Sequence, residues 1–384
     1  MEVPVNETRD ARLGALGFDV DRQRLAREYK GKRLALAGVR VTAYVAISAW
    51  LLAGFTHAVK GWASAFGPGL PQYALYTTAL YFLYWIPAIP LGIFGGLILE
   101  RKYGMSVQGM RSWLGDAAKG LAIGLGFSIV AVLVVYGILE AQPDAWWLYT
   151  WAIGLAVGLF LAWVGPVVLA PLFFKFEPLA DEALAARLKV LADRTGTKVV
   201  GVYRMLASAK TTRAFGGLAG IGTTRRIILS DTLLNRYTPD EVEAVIAHEL
   251  AHHVHRDIAR LMAVGALGSL LGLLAVDRIL RAAVPPLRLD GIADIAGLPM
   301  VALTIAMVST VVAPALNALS RQQEARADAF SLRMTGNPAA FRSTMVKIHD
   351  QNLGVADPHR LAEFLFHDHP SGRRRVEAAL RLRP

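Results

Sequence analysis

A mainly α-helical, polytopic membrane bundle, with a small β-sheet in a domain outside the bilayer, is the fold class this sequence predicts. Three observations lead there. Of the 384 residues, 54% are hydrophobic and only 18% charged, too apolar for an ordinary soluble domain; the mean hydropathy is +0.40. The apolar residues are gathered into six stretches, each near the roughly 20 residues that a bilayer-crossing helix needs. Short β-rich runs occur only between the fourth and fifth of these stretches.

Taken in order, residues 1–33 form a polar N-terminal segment carrying eight Lys and Arg residues. Residues 34–173 hold four spans, at roughly 34–56, 73–98, 118–139 and 146–173. Residues 174–258 lie outside the membrane, 259–318 supply two more spans (259–280 and 292–318), and 319–384 close the chain outside it again. The fifth span is the weakest, because Asp277 and Arg278 interrupt its end. The first apolar run begins too late and runs too long for a cleavable signal peptide.

Lys and Arg set the orientation. The 100–119 loop adds Arg101, Lys102, Arg111 and Lys119, whereas the 57–72 loop has only Lys60 and the 140–145 turn has none. That asymmetry places the N-terminus in the cytoplasm, and with it both extramembrane segments. Residues 281–291, expected outside, run against the trend with Arg281 and Arg288. The net charge of +11 suits membrane lipid of an anionic leaflet. No basic patch is interleaved with aromatics as a nucleic-acid reader requires, so no nucleic-acid partner is expected. High Ala, Gly and Arg usage suggests a bacterial inner membrane.

Within 174–258, residues 180–195 have the spacing of an amphipathic helix (Leu184, Leu188, Leu191) closed by Gly196. The β-rich runs are 198–204 and 226–230, with a Gly-rich turn region around 216–222 between them. Such a small sheet can offer an edge to which a peptide adds as a further strand. A helix follows over 239–256: Thr238 is an N-cap, Pro239 sits at the first helical position, and Glu241 completes a capping box. Val242, Val245, Ile246 and Leu250 give it an apolar face. Another helix runs over 319–335 to Gly336, and the C-terminal stretch is helical with a break at Pro370.

The 239–256 helix carries His248-Glu249-Leu250-Ala251-His252. Residues four apart share a helix face, so His248 and His252 can present imidazole nitrogens to one metal ion. Glu249 stands beside that face, where it can take a proton from water activated by the metal. A five-residue match can arise by chance, and the case for a site grows with a third ligand. Glu324 and Asp328, four apart on the 319–335 helix, supply a ligand and a carboxylate behind a ligand imidazole. The competing reading pairs both acids with Arg321 and Arg326 on a solvated face. With no cysteine, disulfides and thiolate ligands are excluded, which leaves His and carboxylates to hold one Zn2+ per chain.

Beyond these residues the chain resembles the integral-membrane zinc metalloproteases of the type I CAAX prenyl protease family, with the HtpX-like proteases as relatives. The resemblance rests on H-E-L-x-H, on Ser320-Arg321-x-x-Glu324-x-x-Ala327-Asp328, and on His369-Pro370 before a basic run. It extends to Phe18-Asp19 through Tyr29, to Tyr103-Gly104-Met105-Ser106 with Trp113 and Lys119, and to Ile227 through Leu234. It implies a gluzincin-like zinc metalloprotease domain, with His248, His252 and Glu324 on the metal, Glu249 as general base, and Asp328 behind a ligand. It further implies that His369 and Arg375 stabilise the tetrahedral intermediate, a task that needs positive or hydrogen-bonding groups besides the metal; the plain alternative for His369 is a solvated histidine at a helix start. His253, His255 and His367 are read as bystanders.

Two departures stand out. Where family members commonly carry Asn-Ala-aromatic on the substrate-binding edge, this chain has Phe215-Gly216-Gly217, a looser strand. It also counts six spans where the eukaryotic prenyl proteases have seven. The expected activity is hydrolysis of a peptide or membrane-protein substrate, lipidated or not. A broad quality-control protease of the HtpX-like kind is the alternative within the class, and a metal-binding membrane scaffold the alternative outside it. An intramembrane protease would bury the motif in a span, whereas Asp240, Glu241, Glu243, Arg256 and Asp257 flank it here.

Overall fold

Lipid offers a backbone no hydrogen-bond partner, so each apolar stretch must close its N–H and C=O groups on itself as a helix. The structure is a computed structural model describing residues 5–220 and 222–381. Among them, helices long and apolar enough to span run over Val20–Ser64, Leu70–Lys102, Met110–Ala141, Trp146–Leu172, Asp257–Ala283 and Ile295–Thr335. These are the six expected spans, extended where polar ends continue beyond the bilayer. The first kinks at Gly54, whose φ of 132° only glycine adopts readily. The last two pack closely: a Cβ at Gly272 would meet Val308 Cγ1 at 3.1 Å, as expected where small residues let membrane helices approach.

Charges near the span ends are satisfied internally. Buried Asp277 accepts from Trp146 Nε1 at 2.8 Å and from Arg281 Nε at 3.0 Å. Lys60 Nζ reaches Asp290 and Asp294 at 2.6 and 2.8 Å. Asp277, one of the two charges that made the fifth span look weak, is therefore paired, and Arg281, which ran against the orientation rule, is held by it.

The extramembrane domain is built on four strands: β1 (Phe176–Pro178), β2 (Val202–Met205), β3 (Gly216–Ala219) and β4 (Arg226–Ser230). Their order is β1-β2-β4-β3. β1 pairs antiparallel with β2, β2 parallel with β4, and β3 antiparallel with β4. The expectation of a turn around 216–222 is therefore corrected in its first half. Residues 216–219 extend along β4, whose apolar Ile227, Ile228 and Leu229 need a covered edge; Ile221 lies outside the described residues. The run expected from 198 is a regular strand only from Val202 onward, though Val200 N already donates to Arg225 O at 2.7 Å.

Behind the sheet lies the motif helix, Pro239–Val254, whose capping box is formed by Thr238 and Glu241. Its face of Val242, Val245, Ile246 and Leu250 packs with Leu188, Leu191, Ile227 and Leu229 in one core. The long helix Leu298–Thr335 runs unbroken from the membrane into this domain, where Ser331 Oγ donates to Ala244 O at 2.7 Å. Gly336 ends it in the left-handed conformation.

The N-terminal segment packs into a second core of this domain, which its polar sequence did not suggest. Leu13 and Phe18 pack with Ala244, Leu332, Phe341, Met345 and Val376. Asp19 N donates to Asp350 Oδ2 at 2.9 Å, and Gln23 Nε2 to Asp350 Oδ1 at 2.8 Å. The carboxylate of Glu100 gathers Arg33 and Arg213 at 2.7 and 2.8 Å, tying the first two spans to the loop before β3. The described part of the N-terminal segment and both extramembrane segments thus pack together at one end of the helix bundle.

His349, on the helix Pro338–Asn352, anchors this assembly. Its Nδ1 stands 2.8 Å from Met345 O, and Phe18 meets the ring edge-on at 6.0 Å. Burial, with Arg375 nearby, holds its pKa down at about 4. The depressed value means that folding favours the neutral ring. Its stabilising contribution is complete above the unfolded value of about 6.5 and is lost as pH falls through about 4. Replacing His349 with Gln is expected to flatten the dependence of Tm on pH across that window, measured in detergent.

Candidate active site

One turn of the motif helix separates His248 from His252, so their rings meet edge-to-face on one side of it, with centroids 5.0 Å apart and planes nearly perpendicular. The Leu298–Thr335 helix crosses opposite and delivers Glu324. His248 Nε2 stands 3.1 Å from Glu324 Oε2, and His252 Nε2 stands 3.3 Å from Glu324 Oε1. All three ligand atoms fall within 4.8 Å of one another. Ligands about 2.0–2.2 Å from a tetrahedral zinc lie about 3.3 Å apart, and the two His–Glu contacts, 3.1 and 3.3 Å, have that spacing.

A second observation supports the fit. Glu324 Oε2 is buried and accepts no hydrogen bond of acceptable geometry, although His248 Nε2 and His369 Nε2 lie 3.1 and 3.3 Å away. A buried carboxylate oxygen without a donor is costly unless a cation fills the gap. The residues fit a zinc ion. The solvated-face reading of Glu324 and Asp328 does not hold, since they are only 6% and 4% exposed.

Each ligand histidine is held from behind. His248 Nδ1 meets Asp328 Oδ1 at 2.9 Å, and His252 Nδ1 meets Asp257 Oδ2 at 3.1 Å. These contacts leave the Nε2 atoms to face Glu324. Burial opposes a charge on His248, but Asp328 and Glu324 outweigh it and raise its pKa to about 9. A metal entering the site must therefore displace a proton.

Arg375 lies behind the same centre, buried, on the helix Gly372–Arg381. Its Nε and Nη2 donate to Asp328 at 2.8 and 2.6 Å, with Nη2 4.0 Å from Glu324 Oε2. Those two donors are directed at Asp328, so the arginine bears on the site through that carboxylate. His369 approaches from the loop before this helix, half-exposed, with Nδ1 2.8 Å from Asp368 Oδ1. Of the sequence bystanders, His367 offers its carbonyl to Arg321 at 2.6 Å, and His255 meets Phe330 edge-on; neither faces the three ligands.

Glu249 projects toward the sheet. A Cβ on Gly217 would lie 3.7 Å from Glu249 Oε2, and one on Gly216 would press on Val245 Cγ1 at 3.1 Å. Gly216 thus lets β3 lie close against the motif helix, while a Cβ on Gly217 would press on the Phe215 ring at 3.2 Å. Phe215, 50% exposed, is fixed by its N–H to Ser230 Oγ at 2.9 Å. Among the described residues β3 pairs only with β4, so its outer edge stands free beside Glu249. Burial raises the Glu249 pKa, and the nearby imidazoles of His248 and His252 only partly offset it.

The sequence marks Asp257 only as a polar flank of the motif, and Asp368 not at all. Asp257 is five residues beyond His252, past the end of the motif helix, where no helical spacing predicts contact. Asp368 adjoins His369 in sequence and could have been noticed there.

Residues 178–383 match the family model of peptidase family M48. Residues 18–175 match the model described as CAAX prenyl protease N-terminal, five membrane helices; this chain places four spans in them. The "Uncharacterized metalloprotease YhfN" of Bacillus subtilis (strain 168) is 30% identical over 86% of this chain and 78% of its own length. The "Probable CAAX prenyl protease 1" of Schizosaccharomyces pombe is 28% identical over 73% of this chain and 60% of its own. The crystal structure of S. mikatae Ste24p has the same fold, with a TM-score of 0.83 at 20% identity, covering 94% of this chain and 89% of that one.

Proposed function

This chain belongs to peptidase family M48 and is a membrane zinc metalloendopeptidase, and from that premise we propose how its residues divide the work. His248, His252 and Glu324 hold the metal, which when bound supplies a Lewis acid that polarises the scissile carbonyl and acidifies water. Glu249 takes the proton from the attacking water and returns it to the departing amine nitrogen. The carbonyl carbon thereby gains a hydroxyl as its bond to nitrogen breaks. A raised pKa suits Glu249 to both transfers, because the best acid–base catalyst titrates near the working pH. His369, at the mouth of the site, donates a hydrogen bond to the developing oxyanion. Arg375 steadies Asp328, and through it His248, while adding a buried positive charge.

The substrate lies along Phe215, Gly216 and Gly217 as an added strand, its main chain bonding to the free edge of β3. The observation that carries this reading is the apposition of that edge to the Glu249 carboxylate. A strand bound there brings a peptide carbonyl beside the base. Gly217→Val is expected to lower kcat/KM about tenfold or more, about 1.4 kcal/mol of transition-state stabilisation, with zinc content unchanged. An unaltered rate would remove β3 from the substrate path.

We place the active site on the cytoplasmic face of a bacterial inner membrane, following the Lys and Arg bias. As substrates we propose membrane-associated peptides, with the prenylated C-terminal peptides named by its relatives as one class and unmodified or damaged membrane proteins as the other. The test is cleavage of a farnesylated peptide and its unmodified twin by the detergent-purified protein, with and without a chelator. Chelator-sensitive preference for the farnesylated peptide supports a prenyl-peptide processor, and equal cutting supports quality control. Stoichiometric zinc with no hydrolysis of either would defeat the substrate reading.

A further inference from the structure

Asp257 sits at the start of the fifth span, is 1% exposed, and lies outside the H-E-x-x-H motif. Its surroundings mirror those of Asp328. Asp328 holds His248 Nδ1 at 2.9 Å and is clamped by Arg375 at 2.6 Å. Asp257 holds His252 Nδ1 at 3.1 Å and is clamped by Arg326 Nη2 at 2.9 Å. Its backbone carbonyl also takes a long hydrogen bond, 3.5 Å, from Gln323 Nε2. Arg326 and Gln323 flank the ligand Glu324 on the same helix.

We propose that Asp257 is a positioning residue for the metal centre, fixing His252 so that Nε2 is presented to the ion, with Arg326 holding it in place. The inference rests on reading His248, His252 and Glu324 as the zinc ligands. An acceptor on Nδ1 sets the tautomer and ring orientation of a ligating histidine and raises its basicity. The chain turns sharply to achieve this. Arg256 adopts a left-handed φ of 54°, which non-glycine residues seldom do, and that turn folds Asp257 back toward His252.

The placement has a consequence for assembly. Asp257 opens the span Asp257–Ala283, and Arg326 lies on the extension of the span Ile295–Thr335. The Asp257–Arg326 pair therefore joins the ends of both spans at the histidine they support. Docking of these spans and shaping of the zinc site become one event.

The test is zinc affinity of the full-length protein in detergent, by competition with a chromophoric chelator. Asp257→Ala is expected to bind zinc about 10- to 100-fold more weakly, the range typical for partners behind metal ligands. Asp257→Asn, which keeps an acceptor for Nδ1 but loses the charge, should fall between that variant and the parent; Arg326→Met should weaken binding less than Asp257→Ala. Cobalt loading supplies a readout that general destabilisation would not move. The visible bands of the bound ion should change in Asp257→Ala and return toward the parent in Asp257→Asn. If Asp257→Ala does not fold, Asp257→Asn and Arg326→Met carry the test. Parent-like affinity and spectra in the folded variants would overturn the proposal. Absence of zinc binding in the parent protein would instead defeat the assignment of the three ligands.

Discussion

Glu249→Gln is expected to abolish turnover while leaving the metal in place. The substitution is nearly isosteric and keeps a polar group against β3, so neither the helix nor the ligand set is disturbed. What it removes is the proton acceptor. General base catalysis contributes roughly 10²- to 10⁴-fold, so kcat should fall by about that factor. Zinc content and affinity should match the parent, because Glu249 lies outside the cluster formed by His248, His252 and Glu324. Steady-state cleavage of the peptide pair, with metal analysis of the same preparation, checks both halves. A variant that retains parent-like kcat would sink the assignment of Glu249.

The second large effect concerns the Asp328–Arg375 pair. Both partners are buried, 4% and 8% exposed, and the guanidinium bonds both carboxylate oxygens. Removing one partner of a buried pair costs about 3–5 kcal/mol, because the other charge is left without compensation. Arg375→Met should therefore lower thermal stability sharply in detergent. In the Asp328→Leu/Arg375→Met double variant the orphaned charge is gone, and stability should largely return. Zinc affinity should not return with it, since His248 Nδ1 has then lost its acceptor. Equal stability loss in single and double variants would show that packing, not charge, governs this position.

Much of this architecture is legible in the residue order, and the reason is locality. Bilayer thickness imposes a length on every span, so all six appear as runs of apolar residues. Helical periodicity places His248, His252 and Val245 on predictable faces, and the capping residues Thr238 and Glu241 mark where that helix begins. The relation of Glu324 to Asp328 is again a four-residue spacing. Where a pattern is two-fold and short, the reading was weaker. Gly216–Ala219 looked like a turn because glycine signals turns, yet it forms an edge strand. Gly216 is favoured there by close approach to Val245, a constraint from across the domain.

Residue order alone marked the spans, the motif helix and the three candidate ligands, because each rests on local motifs and spacings of a few residues. Only the tertiary structure decided what stands behind those ligands and what they face. Asp257 reaches His252 through a left-handed turn at Arg256; Arg375 reaches Asp328 across 47 residues. The polar N-terminal segment sends Leu13 and Phe18 into a core shared with Phe341 and Val376. None of these contacts repeats with a helical or strand period. They follow from how whole elements pack, and local pattern carries no record of that.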